Sequence, residues 1–398
     1  MKRRILIVID SLHSGGAEKS LVSLLSLFDF EKYDVDLLMF SAKGLYLPLV
    51  PHEVNKLSIQ NYSIVRISEL IKKRKFKDMC IRLSLSIALR NPYKRNRMHT
   101  AQISWNWISK GIHKVNDKYD IAIAYSQGTP TYYVAEKVDA DKKICWVNTD
   151  YKLAGYNKSF DRKYYEQFNK VIAVSDYNKE VFVSEMPAAQ MKMGVIYDIV
   201  SPSLIKSMAL QEGGFDDRFD GLRILTIGRL VEAKGYDMAI EACYKLKQQG
   251  YKFKWYVIGE GSLKGKMERT IKELKLEDTF ILLGTFQNPY VFLKQSDIYV
   301  QPSRFEGYGL AIAEARILQK PIVATNFTVI HNQIRHGENG LIVNMNSEDI
   351  GDGIKRLIDD KDLKESICFK LSQEIIGTEK EIHKVYSIIE SNELETVN

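Results

Sequence analysis

Glu306 and Glu314 bracket the stretch RFEGYGLAIAEA (residues 304–315), which also carries Gly307 and Gly309. Ionised carboxylates accept hydrogen bonds and donate none, so a pair of them suits a ligand that bears hydroxyls. Their spacing of eight residues is a little over two helical turns. One continuous helix is disfavoured, because each glycine costs about 1 kcal/mol relative to alanine. The stretch is predicted as a loop carrying Glu306, followed by a helix that starts near Gly309 with Glu314 more than one turn inside. A helix start offers unpaired N–H groups and a partial positive charge, which suits an anion. These residues describe a phosphate seat flanked by two acceptor carboxylates.

Cations of matching purpose lie upstream. ILTIGRLVEAKGYDMAI (residues 224–240) is predicted as strand, loop and helix: Gly228 ends the strand, Arg229 and Lys234 occupy the loop, and Gly235 precedes the helix. Two loop cations balance the charge of a diphosphate, and arginine grips it as a fork; the plainer alternative is two solvated side chains. WYVIGEGSLKGK (255–266) is a further strand with a glycine turn at Gly259, and LLGTFQN (282–288) ends a third strand beside Thr285. Each of these turns is a weak signal alone.

The elements that must position these groups alternate along the chain. Short apolar runs are predicted as strands at 4–9, 35–40, 121–125, 144–147 and 171–174, then at 223–227, 254–258, 279–283, 298–300 and 321–324. Helical patterns separate them, which calls for parallel sheets covered by helices. The expected organisation is α/β, with a Rossmann-like first domain over 1–200, a linker over 201–221 and a second Rossmann-like domain over 222–375, the two sheets facing across a cleft. The segment from about Ile376 onward has helical spacing at Ile382, Val385, Tyr386 and Ile389, and is expected to pack back on the first domain. Doubly wound sheets bind ligands at the carboxyl ends of their strands, where all the groups above fall.

With 398 residues, 45% of them hydrophobic and 27% charged, the composition is that of a globular protein. MKRRILIVID begins like a signal peptide, but its apolar run stops at Asp10 after five residues, and Ile5–Ile9 reads as a buried strand. No apolar run approaches the roughly 18 residues of a spanning helix. Cys80, Cys145, Cys243 and Cys368 form no CxxC pair, which fits reduced thiols in a cytosol.

In combination, G-R-L-V-E-A-K-G, V-I-G-E-G, E-G-Y-G-L-A-I-A-E-A, K-P-I-V-A-T and E-N-G-L-I-V resemble the donor half of family 4 glycosyltransferases, with the GT-B fold. S-G-G-A-E-K-S (14–20) is similar to the same family's first glycine loop. The resemblance runs from residue 5 to about 343 and is best over 223–343. It implies a nucleotide-diphosphate sugar as ligand, with a UDP-sugar expected. Glu314 would accept from the ribose hydroxyls and Glu306 from hydroxyls of the transferred sugar. Arg229, Lys234 and the amides near Gly309 and Leu310 would hold the diphosphate, and Gly259 and Thr285 would line the base. Gly15 and Gly16 would bring helix amides to the donor from the first domain, or form a plain strand-to-helix turn, and Glu18 would face donor or acceptor, or simply favour the first turn of its helix. The resemblance further implies transfer with retention of configuration, in which the leaving phosphate takes the proton, with no cofactor and no obligatory metal. Asn148, in ICWVNTDYKLAGY (144–156), stands where the family often has a histidine and cannot act as a base near neutral pH. Asp150 and His13 are then candidates for the acceptor hydroxyl, or simply turn residues. Asp34-Val35-Asp36 resembles a DxD metal motif but starts a strand, at the end opposite ligand sites, and is assigned to structure.

Between Tyr62 and His99 stand eleven Lys or Arg against two acids, a local excess larger than the whole chain's +7. Within residues 66–98, Phe76, Met79, Cys80, Leu83 and Ile87 recur at helical spacing, so the segment reads as a basic amphipathic helix for an anionic membrane surface, the alternative being a helix packed on its own domain with a solvated basic face. That fits a cytoplasmic protein, peripheral on the inner face of the plasma membrane, acting on a lipid-linked acceptor in capsule, exopolysaccharide or O-antigen assembly. No nucleic-acid module is present. A nicotinamide oxidoreductase calls for G-x-G-x-x-G after its first strand, where this chain has H-S-G-G-A-E. A non-catalytic nucleotide-sugar sensor would keep the seat and lack turnover.

Overall fold

The computed structural model describes residues 2–13, 15–59 and 75–391. These form two compact units. The first holds the chain up to His13, Ala17–Asp198 and the C-terminal stretch from Lys380; the second holds Ile199–Glu379 with Gly15 and Gly16.

The first unit is built on β1 (Arg3–Ile9), β2 (Tyr33–Met39), β3 (Asn55–Ser58), β4 (Lys118–Ala124), β5 (Asp139–Val147), β6 (Lys170–Ala173) and β7 (Met193–Val195). They make one sheet in the order β3-β2-β1-β4-β5-β6-β7, every pair parallel. Ile5 sits opposite Val35 on one side and Ile121 on the other. Residues Ile5–Ile9 are all at most 2% exposed, because helices cover both faces of a parallel sheet and its strands become unbroken apolar runs.

The second unit repeats the plan with β8 (Leu222–Ile227), β9 (Phe253–Ile258), β10 (Phe280–Gly284), β11 (Ile298–Gln301), β12 (Ile322–Thr325) and β13 (Leu341–Val343), in the parallel order β10-β9-β8-β11-β12-β13. In each sheet the strand order reverses beside the first strand, between β1 and β4 and between β8 and β11. Connections diverge there and leave a crevice at the carboxyl ends.

The linker, the C-terminal segment and the basic segment have the following structures. Residues 201–221 are not a plain linker: Pro202–Ala209 is a helix, with Ser201 as its N-cap, proline in its first turn, and Ile205 and Met208 buried. The C-terminal helix spans Glu381–Glu390 and is bonded to the first unit: the Tyr386 hydroxyl accepts from the Asp29 N–H at 2.8 Å, and Tyr33 donates to Glu390 at 2.7 Å. Of the basic segment, residues 66–74 lie outside the described residues. Its helix Phe76–Arg90 buries Ile81, Leu85 and Ala88, whereas Phe76 (65% exposed), Cys80, Leu83 and Ile87 (70%) face outward, with Met79 half-buried. The stripe expected as one apolar face is thus the uncovered one, and a second apolar face makes the packing.

A buried carboxylate organises the helices behind β5. Asp161 accepts from Gln102 at 2.6 Å, from the Tyr132 hydroxyl at 2.7 Å and from the Tyr151 hydroxyl at 2.6 Å. Burial raises its pKa, and the three donors oppose that shift. The hub joins helices Thr100–Ile108, Thr129–Lys137 and Lys158–Tyr165 to the loop after β5.

Candidate functional site

In the second unit the predicted ligand residues gather at the ends of β8 and β11. Gly228 and Arg229 follow β8, then a short 3-10 turn over Glu232–Lys234, then Gly235 in the left-handed region (φ 63°) before helix Tyr236–Gln248. A Cβ on Gly235 would meet the Pro302 carbonyl oxygen at 2.0 Å, so only glycine allows the loop after β11 to lie so close. The two loops are further joined by the Arg304 N–H donating to the Ala233 carbonyl at 2.8 Å, and by the Arg304 guanidinium, which forks onto Asp237 at 2.8 and 2.6 Å. That fork holds the Asp237 carboxyl below the usual carboxylate range.

Across this seam Lys234 Nζ donates to both oxygens of Glu306 at 2.6 Å. The pair is largely buried, at 17% and 10% side-chain exposure. Arg229 is exposed, and among the described residues its guanidinium has no hydrogen-bond or ion-pair partner. Three residues beyond Glu306, Gly309 (φ 88°) opens helix Leu310–Ile317, and the N–H groups of Leu310 and Ala311 find no acceptor among the described residues. The carbonyls of Tyr308 and Gly309 are held by the Gln333 amide at 2.6 and 3.3 Å, which turns the amides of this turn outward. A cation pair and open helix amides beside one carboxylate can neutralise a diphosphate and orient a polyol attached to it.

Glu314 lies on the same helix, 2% exposed, accepting from the Tyr290 hydroxyl at 3.2 Å. Thr285 is exposed just past β10. Gly259 has a reason of its own: a Cβ there would stand 1.9 Å from the Gly228 carbonyl oxygen, so its bareness serves the packing of β9's end on β8's end. Gly261 is pressed on the Leu230 carbonyl in the same way, at 2.3 Å.

His13 of the first unit is exposed after β1; Gly15 stands two residues on, and Gly16 begins helix Gly16–Ser26. The Asn148 amide follows β5; both its polar atoms are buried and find no hydrogen-bond partner among the described residues. Asp150 is 2% exposed, caps the Leu153 N–H at 2.7 Å and accepts from Tyr177 at 3.0 Å, which is the work of a turn residue. Asp36 of the DxD-like stretch, midway along β2, accepts from Asn55 at 2.9 Å and Tyr119 at 2.6 Å.

Sequence reasoning passed over Gln301, Ser303, Gln333 and Arg304. The Q-P-S run at the end of β11 was the available signal for the first two: a polar residue closing a buried strand needs a partner.

Residues 218–368 match the family model described as Glycosyl transferases group 1. The chain is 24% identical over 366 residues to the N-acetylgalactosamine-N,N'-diacetylbacillosaminyl-diphospho-undecaprenol 4-alpha-N-acetylgalactosaminyltransferase of Campylobacter jejuni, a match covering 90% of this chain and 91% of that protein. Among solved structures, a mutant of S. aureus TarM in complex with Fondaparinux, alpha-GlcNAc-glycerol and UDP superposes with a TM-score of 0.68 at 16% identity, over 98% of this chain and all of that one. Anabaena HepE in complex with UDP-glucose superposes with a TM-score of 0.65 at 17% identity, over 97% and 100%. At these identities the structures speak for the fold alone, and that fold is GT-B.

Proposed function

Starting from the chain as a glycosyltransferase of the GT-B type, we propose that it moves a sugar from a nucleotide-diphosphate sugar, a UDP-sugar by preference, to a glycan carried on a polyprenyl diphosphate. The observation that carries the reading is the Lys234–Glu306 pair at 2.6 Å, set where the strand order reverses between β8 and β11, with Arg229 exposed beside it. Lys234, Arg229 and the amides of Leu310 and Ala311 hold the diphosphate. Glu306 accepts from hydroxyls of the transferred sugar, Glu314 from the ribose, and Gly259 and Thr285 border the base.

Transfer proceeds with retention. The bond from the anomeric carbon to the diphosphate breaks, the acceptor oxygen bonds to that carbon on the same face, and the acceptor proton passes to the departing phosphate oxygen. The enzyme then needs no strong base, which accords with Asn148. Its work is to stabilise charge on the leaving group, and the two cations and the helix amides supply that. Because fixed cations perform this task, no obligatory metal is required, and transfer is expected to persist within about twofold in excess EDTA.

A thermal-shift panel of UDP-glucose, UDP-galactose, UDP-N-acetylglucosamine, UDP-N-acetylgalactosamine and GDP-mannose tests the donor: a ligand at 100 times its Kd stabilises by about 2.7 kcal/mol. Release of free sugar from the stabilising donor, followed with a radiolabel, then separates an enzyme from a sensor. No shift with any of them would defeat the reading.

The acceptor's lipid anchor is supported by the C. jejuni relative's diphospho-undecaprenol substrate, as printed in its name, and by the outward stripe Phe76, Cys80, Leu83 and Ile87 among Lys75, Lys77, Arg82 and Arg90. Among the described residues no helix is long and apolar enough to cross a membrane. In this proposal the protein works peripherally on an anionic surface, at the cytoplasmic face of the plasma membrane, where each basic residue contributes about 1 kcal/mol before screening. It should sediment with vesicles containing phosphatidylglycerol and remain in the supernatant with phosphatidylcholine alone. Changing Lys72, Lys73, Arg74 and Lys75 to glutamine should reduce sedimentation several-fold; unchanged sedimentation would remove the membrane from the proposal.

A further inference from the structure

Glu306 is held from behind by a polar relay that reaches into the core of the second unit. Gln301, the last residue of β11, is 2% exposed. Its amide nitrogen donates to Glu306 Oε1 at 2.9 Å and to Ser303 Oγ at 2.7 Å. Ser303, wholly buried, donates its single proton to the same Oε1 at 2.6 Å. The Gln301 amide oxygen accepts from the hydroxyl of Tyr299, which is also wholly buried.

The direction of every bond follows from the chemistry of the last member. An ionised carboxylate only accepts, so the Gln301 NH2 must face it, and the amide oxygen must then face Tyr299. The backbone of the relay is fixed too: Thr325 Oγ1 donates to the Gln301 carbonyl at 3.2 Å and to the Ser303 carbonyl.

The count on each oxygen is unequal. Oε1 takes Lys234, Gln301 and Ser303, whereas Oε2 takes Lys234 alone. An oxygen with two lone pairs and three donors has no capacity left, and one with a single donor has. We propose that Gln301, with Ser303, is a positioning residue that fixes the Glu306 carboxylate so that Oε1 is its anchor and Oε2 is the oxygen offered to a donor hydroxyl of the transferred sugar. The identity of that hydroxyl's owner rests on the function proposed above; the orientation of the carboxylate does not. Without the relay, the carboxylate turns about its terminal bond and follows Lys234, and the acceptor lone pair is no longer aimed.

Three variants test this. Gln301→Leu removes both amide groups at similar volume, Ser303→Ala removes one donor, and Gln301→Glu keeps the shape while setting a second carboxylate against Glu306. In crystals of Gln301→Leu the Glu306 carboxylate should be rotated from its wild-type plane; an unmoved carboxylate overturns the proposal whether or not any nucleotide sugar binds. With the nucleotide sugar that the panel identifies, Gln301→Leu and Ser303→Ala should lower kcat by about 10–100-fold, by analogy with the loss of a partner that orients a metal ligand. In Gln301→Glu the two carboxylates share a proton, so the acidic limb of the pH–rate profile should move to higher pH. A purely structural role predicts a lowered melting temperature with that limb unmoved, and this pattern would also overturn the proposal. If the leucine variant does not fold, the isosteric glutamate variant carries the test alone. A wild-type protein that binds no donor, with Glu306 rotated in the Gln301→Leu crystal, would count against the proposed function and for this relay.

Discussion

Lys234→Ala and Glu306→Ala are each expected to lower glycosyl transfer by about 10²–10³-fold, the usual cost of losing one preorganised charge at a transition state. The two losses have different origins. Under the proposed function, Lys234→Ala removes positive charge from the departing diphosphate, and Arg229, exposed and without an ion-pair partner among the described residues, replaces little of it. Glu306→Ala removes the acceptor that orients the sugar and also leaves Lys234 without its 2.6 Å partner. The fold should barely register Lys234→Ala, whereas Glu306→Ala also strands the buried Ser303 hydroxyl and a Gln301 N–H and should cost about 1–3 kcal/mol. Lys234 and Glu306 retain some exposure, and in Lys234→Ala the carboxylate keeps Gln301 and Ser303 as donors. A melting temperature within a few degrees of wild type for Lys234→Ala and a lower one for Glu306→Ala, each with near-complete loss of turnover, are the expected result. The double variant should be less active than either single one, but by less than the product of the two losses, because the two side chains touch. Full turnover in both single variants would refute the assignment.

The second large effect belongs to stability. Asp161→Ala strands the buried Tyr132 and Tyr151 hydroxyls, each of which costs about 1–3 kcal/mol when left without an acceptor, while the Gln102 amide keeps the Asn157 carbonyl at 3.0 Å. Part of this is offset because an unfavourably buried carboxylate is also removed. A net loss of about 3 kcal/mol is expected, and at about 2–4 °C per kcal/mol for a unit of this size the first unit should melt roughly 10 °C lower. The sign of its pH dependence follows from the raised pKa of Asp161 in the folded protein. A carboxyl with a raised folded pKa contributes most below its unfolded pKa and loses that contribution as pH rises through the folded value. Asp161→Asn does not titrate, so its deficit against wild type should be larger at pH 4 than at pH 8. Chemical denaturation at the two pH values measures this, and a deficit that grows with pH would contradict the burial argument.

Much of the fold was legible because a parallel strand covered on both faces is an unbroken apolar run, as at Ile5–Ile9 and Ile298–Val300. The strands that escaped are those that physics leaves unmarked. β3 (Asn55–Ser58) is a largely exposed edge, and β7 and β13 are three residues each. The helix Pro202–Ala209 did carry signals, a serine cap and a proline in its first turn, but the polar residues after it masked them. At the site, Lys234, Glu306 and Gly309 were legible from residue type and strand-end position. Gln301 and Ser303 were not, because a neutral side chain acquires meaning only from what the fold sets beside it. Gly259 was legible as a glycine, but for a different reason: the neighbouring carbonyl requires it.

The bare backbone at Gly259 and Gly261 also limits redesign. Any side chain at either position collides with a main-chain oxygen within about 2.3 Å, and that oxygen belongs to the loop carrying Arg229. A mutational library that sought a new base preference there would deliver misfolded loops rather than altered selectivity. Diversity is better introduced at Thr285, which is exposed on the next strand end.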